Sequence, residues 1–264
     1  MNRPVARQNA GMHRALVRRP SPRLAEGVVT HIERSSIDLD RARRQWDGYV
    51  SAMESNGWPT VEVPPADHCP DGVFIEDAVV MFGRTAVLTH PGHEVRRAEV
   101  NGVGPLLESI GYRVESVGTD GTLDGGDVLK VNETVYVGLG GRTDEVGISR
   151  LATIVEPLGY RVRAIPVTKV LHLKSAVTAL PDGTVIGWEP VVDDPSLFDR
   201  FESMPEEPGA HVVLLADDVL LMSSAAPRSA RLLRDRGHRV VEVDISEFEK
   251  LEGCVTCLSV RLRA

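Results

Sequence analysis

Three shortages in this chain narrow what it can be. The first is cysteine: there are three in 264 residues, so one must stay unpaired within the chain. A disulfide framework is therefore not expected, and a reducing, cytoplasmic setting is the default. The second is long apolar runs: none reaches the roughly 18 consecutive residues of a membrane-spanning helix. The segment from Met1 to Ala10 carries charge but no apolar stretch, so it does not read as a secretory signal. Residues 1–12 read instead as a frayed tail. The third is positive charge: 30 Lys and Arg stand against 38 Asp and Glu, a net charge of -8. A nucleic-acid partner is not expected, because a phosphate backbone requires a basic surface. A cationic small molecule is compatible with that balance.

What remains is ordinary globular material. Apolar residues make up 42% and charged residues 26% of the chain, which fits a folded domain with a real core. A short pattern recurs through it. Gly111-Tyr112-Arg113-Val114, Gly159-Tyr160-Arg161-Val162 and Gly237-His238-Arg239-Val240 each follow a helical segment, and Gly57-Trp58-Pro59-Thr60-Val61 is a looser copy. Each reads as a helix ended by a left-handed glycine and followed by a strand.

Hairpin signals lie between these copies. Apolar runs at 78–82 and 85–89, 128–131 and 134–138, 175–180 and 184–188, and 212–215 and 219–223 are each separated by turn residues. Two strands are left over, at 15–18 and 258–262; pairing them makes a fifth hairpin and joins the two ends of the pattern. Helices are expected at 38–55, 96–110, 144–158 and 227–236, with one capped turn at 246–249. Repeats of this length suggest a ring or array. The reading is a single α/β domain over residues 1–264, built from about five strand–strand–helix–strand units and closed without exposed sheet edges.

Several side chains could carry chemistry. Cys254-Val255-Thr256-Cys257 is a C-x-x-C, but it precedes a strand rather than opening a helix, so thioredoxin-like use is disfavoured. A zinc site would need a second ligand pair, and His68-Cys69 has unsuitable spacing. Two small buried hydrophobes, or a nucleophile working with a distant His and acid, are the readings left open. His172 is flanked by Leu171 and Leu173 just before an expected strand, as a buried core histidine would be. Asp124-Gly125-Gly126-Asp127 could be a plain turn. Asp71, Glu76 and Asp77 place three carboxylates within seven residues.

Together these stretches resemble one family. Ile75-Glu76-Asp77, Leu123-Asp124-Gly125-Gly126-Asp127-Val128, Leu171-His172-Leu173-Lys174-Ser175 and Thr256-Cys257-Leu258-Ser259 are similar, in order and spacing, to the signature stretches of dimethylarginine dimethylaminohydrolases. Pro91-Gly92 with Arg96-Arg97, and Gly138 to Thr143, also match. The resemblance implies a pentein-type α/β propeller with pseudo-fivefold repeats and a central active site. It implies hydrolysis of Nω,Nω-dimethylarginine, and of the monomethyl compound, to citrulline and an amine.

It also implies roles. Cys257 is the nucleophile, His172 the acid/base and Asp124 the acid that orients the histidine. Asp71 and Asp77 hold the guanidinium with Glu76 beside them, Arg96 and Arg142 hold the amino-acid end, and Leu251 lines the site. Cys254 has no catalytic counterpart. No metal and no organic cofactor is expected. The partners expected are a methylated arginine and, in oligomeric form, a second copy of the chain as a homodimer. Two departures stand out. Arg18-Arg19-Pro20-Ser21-Pro22 would form a basic, proline-rich lid, and Glu252 would stand in for an acid that meets the substrate amino group. Arginine deiminase is the alternative of the same fold, and a non-catalytic binding module the alternative of a different class.

Overall fold

A strand that is apolar on both faces needs cover on both sides, and short strands of this kind recur along the chain. The computed structural model describes residues 13–263; the tail expected at 1–12 lies outside the described residues. The chain runs through β1 (Arg14–Val17), α1 (Leu39–Ser55) and β2 (Thr60–Glu62). It continues through β3 (Val79–Phe82), β4 (Thr85–Leu88), α2 (Val103–Ser109) and β5 (Arg113–Ser116). Next come β6 (Val128–Val131), β7 (Thr134–Leu139), α3 (Glu145–Val155) and β8 (Arg161–Pro166). A four-residue α4 (Leu173–Ala176) leads into β9 (Val177–Ala179), β10 (Val185–Gly187) and β11 (Phe201–Ser203). Last are β12 (Val213–Ala216), β13 (Val219–Ser223), α5 (Pro227–Asp235), β14 (Arg239–Val243), α6 (Ser246–Glu249) and β15 (Val260–Leu262).

These strands form five three-stranded sheets, ordered β15-β1-β2, β3-β4-β5, β6-β7-β8, β9-β10-β11 and β12-β13-β14. In each, the middle strand pairs antiparallel with the first and parallel with the third. The expected fifth hairpin is present: Arg14 pairs with Leu262 and Leu16 with Val260.

Period-two alternation then sends the side chains of each middle strand into two different cores. Ala15 and Val17 pack with Val213, Leu221 and Val243 of the last sheet. Leu16, between them, packs with Val79, Met81 and Ala86 of the second. Val80 and Phe82 face Val135 and Val137; Leu129 and Tyr136 face Val177 and Val185; Ile186 faces Leu220 and Met222. Five cores, each shared by two neighbouring units, close a ring.

Side chains cap two helices, but the capping box expected at 246–249 does not form: Ile245 precedes α6 and no side chain caps it. Asp38 accepts from the Arg41 amide at 2.9 Å at the head of α1, and Asp144 from the Gly147 amide at 2.7 Å at the head of α3. The helix expected at 96–110 is split: a 3-10 segment at Glu94–Val100 is followed by α2, and Gly102 between them sits at φ 81°. α3 stops at Val155 and a 3-10 turn takes over, since Pro157 has no N–H to continue the helical ladder. The fourth unit has no α-helix between β10 and β11. Two 3-10 turns, Glu189–Val191 and Pro195–Leu197, fill that connection, where Pro190 and Pro195 disfavour a helix. The hairpin expected from residue 175 starts at Val177, because Ser175 and Ala176 belong to α4.

The recurring glycines behave as read: Gly57, Gly111, Gly159 and Gly237 have φ between 85° and 93°. Two glycines with equal room for a methyl group separate backbone strain from packing. Nothing lies within 4 Å of a Cβ built at Gly48, inside α1, or at Gly159. Gly48→Ala is expected to stabilise the protein by about 0.5–1 kcal/mol through helix propensity. Gly159→Ala is expected to destabilise it by about 1 kcal/mol, because φ is positive. Urea-unfolding midpoints of the two variants should move in opposite directions.

Candidate active site

The first strand of each sheet lines the axis of the ring. Residues of β3, β6, β9 and β15, with Leu214 of β12, border an axial cavity of about 490 Å³. The reactive side chains sit where the chain enters these inner strands. Asp77 precedes β3, Asp124 and Asp127 precede β6, His172 precedes α4 and β9, and Cys257 precedes β15. Convergence on the axis thus comes from fold repetition, and residues far apart in the chain share one pocket. Asp71, Asp77, Arg96, Arg142, His172, Leu251 and Cys257 all border it, with Val28, Phe74, Leu171, Glu252 and Gly253.

His172 is the hub. Its Nε2 lies 2.9 Å from Asp124 Oδ2, and its Nδ1 lies 3.8 Å from Asp77 Oδ1. Asp124 is fully buried and held from three directions. Its Oδ1 accepts from the Gly92 amide at 2.8 Å, its own amide donates to Thr143 Oγ1, and Arg142 Nη1 stands 3.7 Å from Oδ2. Asp77 accepts from the Gly126 amide at 2.8 Å and from Arg96 Nη1 at 2.7 Å. Only glycine fits at 126, since a Cβ there would come within 2.6 Å of His172 Nδ1 and 2.7 Å of Asp77 Oδ1.

Charge follows from this geometry. Burial by itself would lower the His172 pKa, but Asp77, the hydrogen bond to Asp124, and Asp127 outweigh it and hold the imidazole up to about 9. Burial would raise Asp77, yet His172 and Arg96 hold it down to about 2. Burial pushes Asp127 up to about 6. Cys257 is held well above the usual thiol range, first by its hydrogen bond to Cys254, then by burial and by the carboxylates of Glu76 and Asp77.

The remaining expected residues are placed as follows. Asp71 is buried and accepts from the Val28 amide at 3.0 and 3.2 Å. Arg142 donates to Thr30 Oγ1 at 3.3 Å, while its Nη1 is buried with no hydrogen-bond partner among the described residues. Arg96 is already engaged: it donates to both oxygens of Glu99 at 3.0 and 2.8 Å as well as to Asp77. Glu252 lines the pocket, but its carboxylate accepts from the Thr30 and His31 amides at 2.5 and 2.9 Å.

Two expectations need correction. Glu76 does not border the pocket. It accepts from Thr256 Oγ1 at 2.8 Å and pairs with Lys174 at 2.6 Å, facing the axial cavity. Consecutive residues of the 3-10 turn Ile75–Ala78 project to different sides, so Asp77 and Glu76 serve different spaces. Arg18 is likewise no lid residue. It is buried and donates to the backbone oxygens of Pro64, Gly72 and Glu99, while Arg19 pairs with Glu62 outside the pocket.

Two further residues support the site without a sequence expectation to match. Asp127 accepts from the Leu173 amide at 2.9 Å and from Thr143 Oγ1 at 2.6 Å, tying the His172 segment to the Asp124 loop. Glu99 anchors Arg96. The second acid of Asp-Gly-Gly-Asp and the three-residue spacing of Arg96 and Glu99 are the signals that point to them. Donor atoms of Asp77, Asp124 and His172 lie within 4.8 Å of one another, close enough to ligate a cation. Arg96, paired with Asp77, and Arg142 near Asp124 already balance those carboxylates.

Five three-stranded units around an axis, with the reactive groups at one end of it, define a pentein α/β propeller. Comparison with known proteins agrees. Residues 110–213 match the family model of arginine deiminase. The chain is 63% identical to an N(G),N(G)-dimethylarginine dimethylaminohydrolase of Streptomyces coelicolor, over 95% of this chain and 97% of that one. It is 30% identical to the enzyme of that name from Pseudomonas aeruginosa, over 93% and 98%. A solved structure of a Pseudomonas aeruginosa dimethylarginine dimethylaminohydrolase, a Cys→Ser mutant with citrulline, superposes with a TM-score of 0.86 at 29% identity, covering 95% of this chain and 98% of the other. The N-terminal domain of a cyanobacterial arginine dihydrolase superposes at 0.84 with 21% identity, covering 95% and 97%, and so shares the fold. The chain belongs to the dimethylarginine dimethylaminohydrolase family.

Next to the charge of Asp77, the hydrogen bond that His172 donates to Asp124 should hold the His172 pKa up. Folding raises that pKa from the ordinary 6.5, so the associated stability is present below pH 6.5 and is lost as pH rises toward about 9. Asp124→Asn should lower the imidazole titration by at least about one unit, read by NMR. It should also shrink the loss of stability between pH 6.5 and 9. An unchanged titration would show that Asp124 does not control the histidine.

Proposed function

We propose that the protein hydrolyses Nω,Nω-dimethylarginine, and Nω-monomethylarginine, to citrulline and the corresponding amine through a covalent intermediate on Cys257. The observation that carries this reading is the convergence in one pocket of Cys257, the Asp124-held His172 and the carboxylates of Asp71 and Asp77. A guanidinium is a planar cation, and two buried carboxylates suit both its charge and its plane. Arg142, with a buried N–H still unpartnered, suits the α-carboxylate. Arg96 stands beside it and also holds Asp77 in place. Leu251 supports the aliphatic stem.

In the proposed reaction the Cys257 sulfur attacks the guanidinium carbon. The thiol is held high in the unliganded protein, so the arriving cation helps it release its proton to solvent. His172, protonated at neutral pH, donates its proton to the departing dimethylamine nitrogen as the C–N bond breaks, leaving an S-alkylthiouronium. The imidazole, now neutral, accepts a proton from water. That water attacks the same carbon, and the C–S bond breaks to give citrulline and the thiol. Asp124 keeps the ring oriented through both half-reactions. None of these steps calls on a metal or an organic cofactor.

The names of the relatives support dimethylarginine as substrate. Two solved relatives support chemistry at the guanidine carbon: the Pseudomonas structure with citrulline, and a dimethylarginine dimethylaminohydrolase in adduct with S-methyl-L-thiocitrulline. We further infer that the chain acts as one catalytic domain in the cytoplasm.

Citrulline release should be measured from dimethylarginine, monomethylarginine, arginine and agmatine. Release is expected from the two methylated substrates, and Cys257→Ser should lower kcat by at least about 10³-fold. Release from plain arginine alone would replace this substrate with that of a deiminase on the same site. Full activity in Cys257→Ser would remove the cysteine from the mechanism.

A further inference from the structure

Cys254 is the buried reactive group that this mechanism leaves unused. It and Cys257 are 4% and 6% exposed, and their sulfur atoms lie 3.3 Å apart. A tight turn holds them there. The Cys257 amide donates to the Cys254 carbonyl oxygen at 3.1 Å, and the Cys254 amide points at Cys257 Sγ from 3.4 Å. Behind the turn, the hydroxyl of Tyr49 in α1 donates to the Val255 carbonyl oxygen at 2.9 Å and lies 2.7 Å from Ser259 Oγ. The pair is thus fixed from the core side.

We propose that Cys254 and Cys257 form a site of oxidative modification, at which a peroxide-class oxidant closes a reversible intramolecular disulfide and withdraws the nucleophile. The geometry is close to the product. A disulfide has sulfurs about 2.05 Å apart and Cα atoms about 4.4–6.8 Å apart, and the ends of a β-turn lie within about 7 Å. The sulfurs need to approach by little more than about 1 Å, roughly a side-chain rotation. Access is one-sided: Cys257 borders the pocket, whereas Cys254 does not. A small oxidant therefore meets Cys257 first.

The Cys257 thiol passes its proton to the Cys254 sulfur 3.3 Å away as its own sulfur attacks one peroxide oxygen. The O–O bond breaks, and a sulfenic acid and water result. The Cys254 sulfur then attacks the sulfenic sulfur; the S–S bond forms, the S–O bond breaks, and a second water leaves. Two thiols and one hydrogen peroxide give one disulfide and two waters. The attacking form is the thiolate, and Cys254 is held well below the usual thiol range, first by the hydrogen bond from Cys257 and then, against burial, by His211 and Thr256. Without a neighbour at this distance, a sulfenic acid goes on to the irreversible sulfinic acid. Cys254 is in this sense a resolving thiol.

The effect on turnover rests on Cys257 being the nucleophile, so the test reads mass and activity separately. Trypsin cuts after Lys250 and Arg261, which places both cysteines on the peptide 251–261. The full chain is treated with hydrogen peroxide at a few equivalents, then with dithiothreitol. In the wild type this peptide should lose about 2 Da, and dithiothreitol should restore it. Citrulline release from dimethylarginine should fall at least about tenfold and recover in parallel. In Cys254→Ser, and in Cys254→Ala should the serine variant not fold, the peptide should gain about 32 Da and activity should stay lost. A gain of about 32 Da in the wild type, or dithiothreitol recovery in both Cys254 variants equal to that of the wild type, would overturn the proposal. A reversible loss of about 2 Da with no activity on any guanidine substrate would uphold the thiol pair and overturn the reading of function instead.

Discussion

Everything in this structure depends on strands that are apolar on both faces and must share cores with two neighbours. Leu16 belongs to one core and Val17 to another, though they are adjacent in the chain. Such a strand cannot be satisfied by a single partner sheet. Five units solve the problem by closing on themselves, with β1 and β15 supplying the last seam. Apolar material then occupies the spaces between units, and polar side chains are left at the two ends of the axis. The pocket is a product of that division, because the turns that enter the inner strands are where the ring leaves room for charge.

Charge at that end is balanced closely. Asp77, Asp124 and Asp127 are buried with His172, Arg96 and Arg142 in the same neighbourhood. Each of these carboxylates meets a backbone amide or a cation, which is the condition under which buried ions are tolerated. The balance has chemical content. A carboxylate held down to about 2 and an imidazole held up to about 9 make an ion pair at neutral pH in the unliganded protein. That arrangement keeps a proton on the ring where a leaving amine would need it. The thiol, by contrast, is held up by its hydrogen bond to Cys254, by burial and by nearby carboxylates; in the proposed reaction a guanidinium would supply the charge that is missing.

Much of this was legible from local signals. Left-handed glycines and hairpin turns report on a few adjacent residues, so Gly159 and Pro181-Asp182-Gly183 could be read directly. The five-unit count followed from them; Cys257 and His172 border one pocket, and Asp124 lies 2.9 Å from His172. What was not legible depends on which way neighbouring side chains project. Glu76 and Asp77 look equivalent in the sequence, yet a 3-10 turn sends one toward Lys174 and the other toward His172. Arg18 looked like part of a basic lid, but three backbone carbonyls draw it inside. The fourth unit lost its helix to two prolines whose effect is visible only once the strands on either side are placed. Cys254 carried no local mark of its 3.3 Å approach to Cys257, since spacing alone does not fix the hand of a turn.

The ion pair between Lys174 and Glu76 has a further bearing on turnover. With Thr256, these residues line the axial cavity, while Asp77 and Cys257, their chain neighbours, line the pocket. The pair and its hydrogen bond form a partition across the axis. In the proposed reaction the amine released in the first half leaves the pocket before the hydrolytic water takes its place, while the rest of the substrate stays tethered to sulfur. That chemistry sets an order: amine out, water in, citrulline out. Groups that line the pocket without reacting, Val28 and Glu252 among them, would govern the pace of exchange without touching the bonds that change.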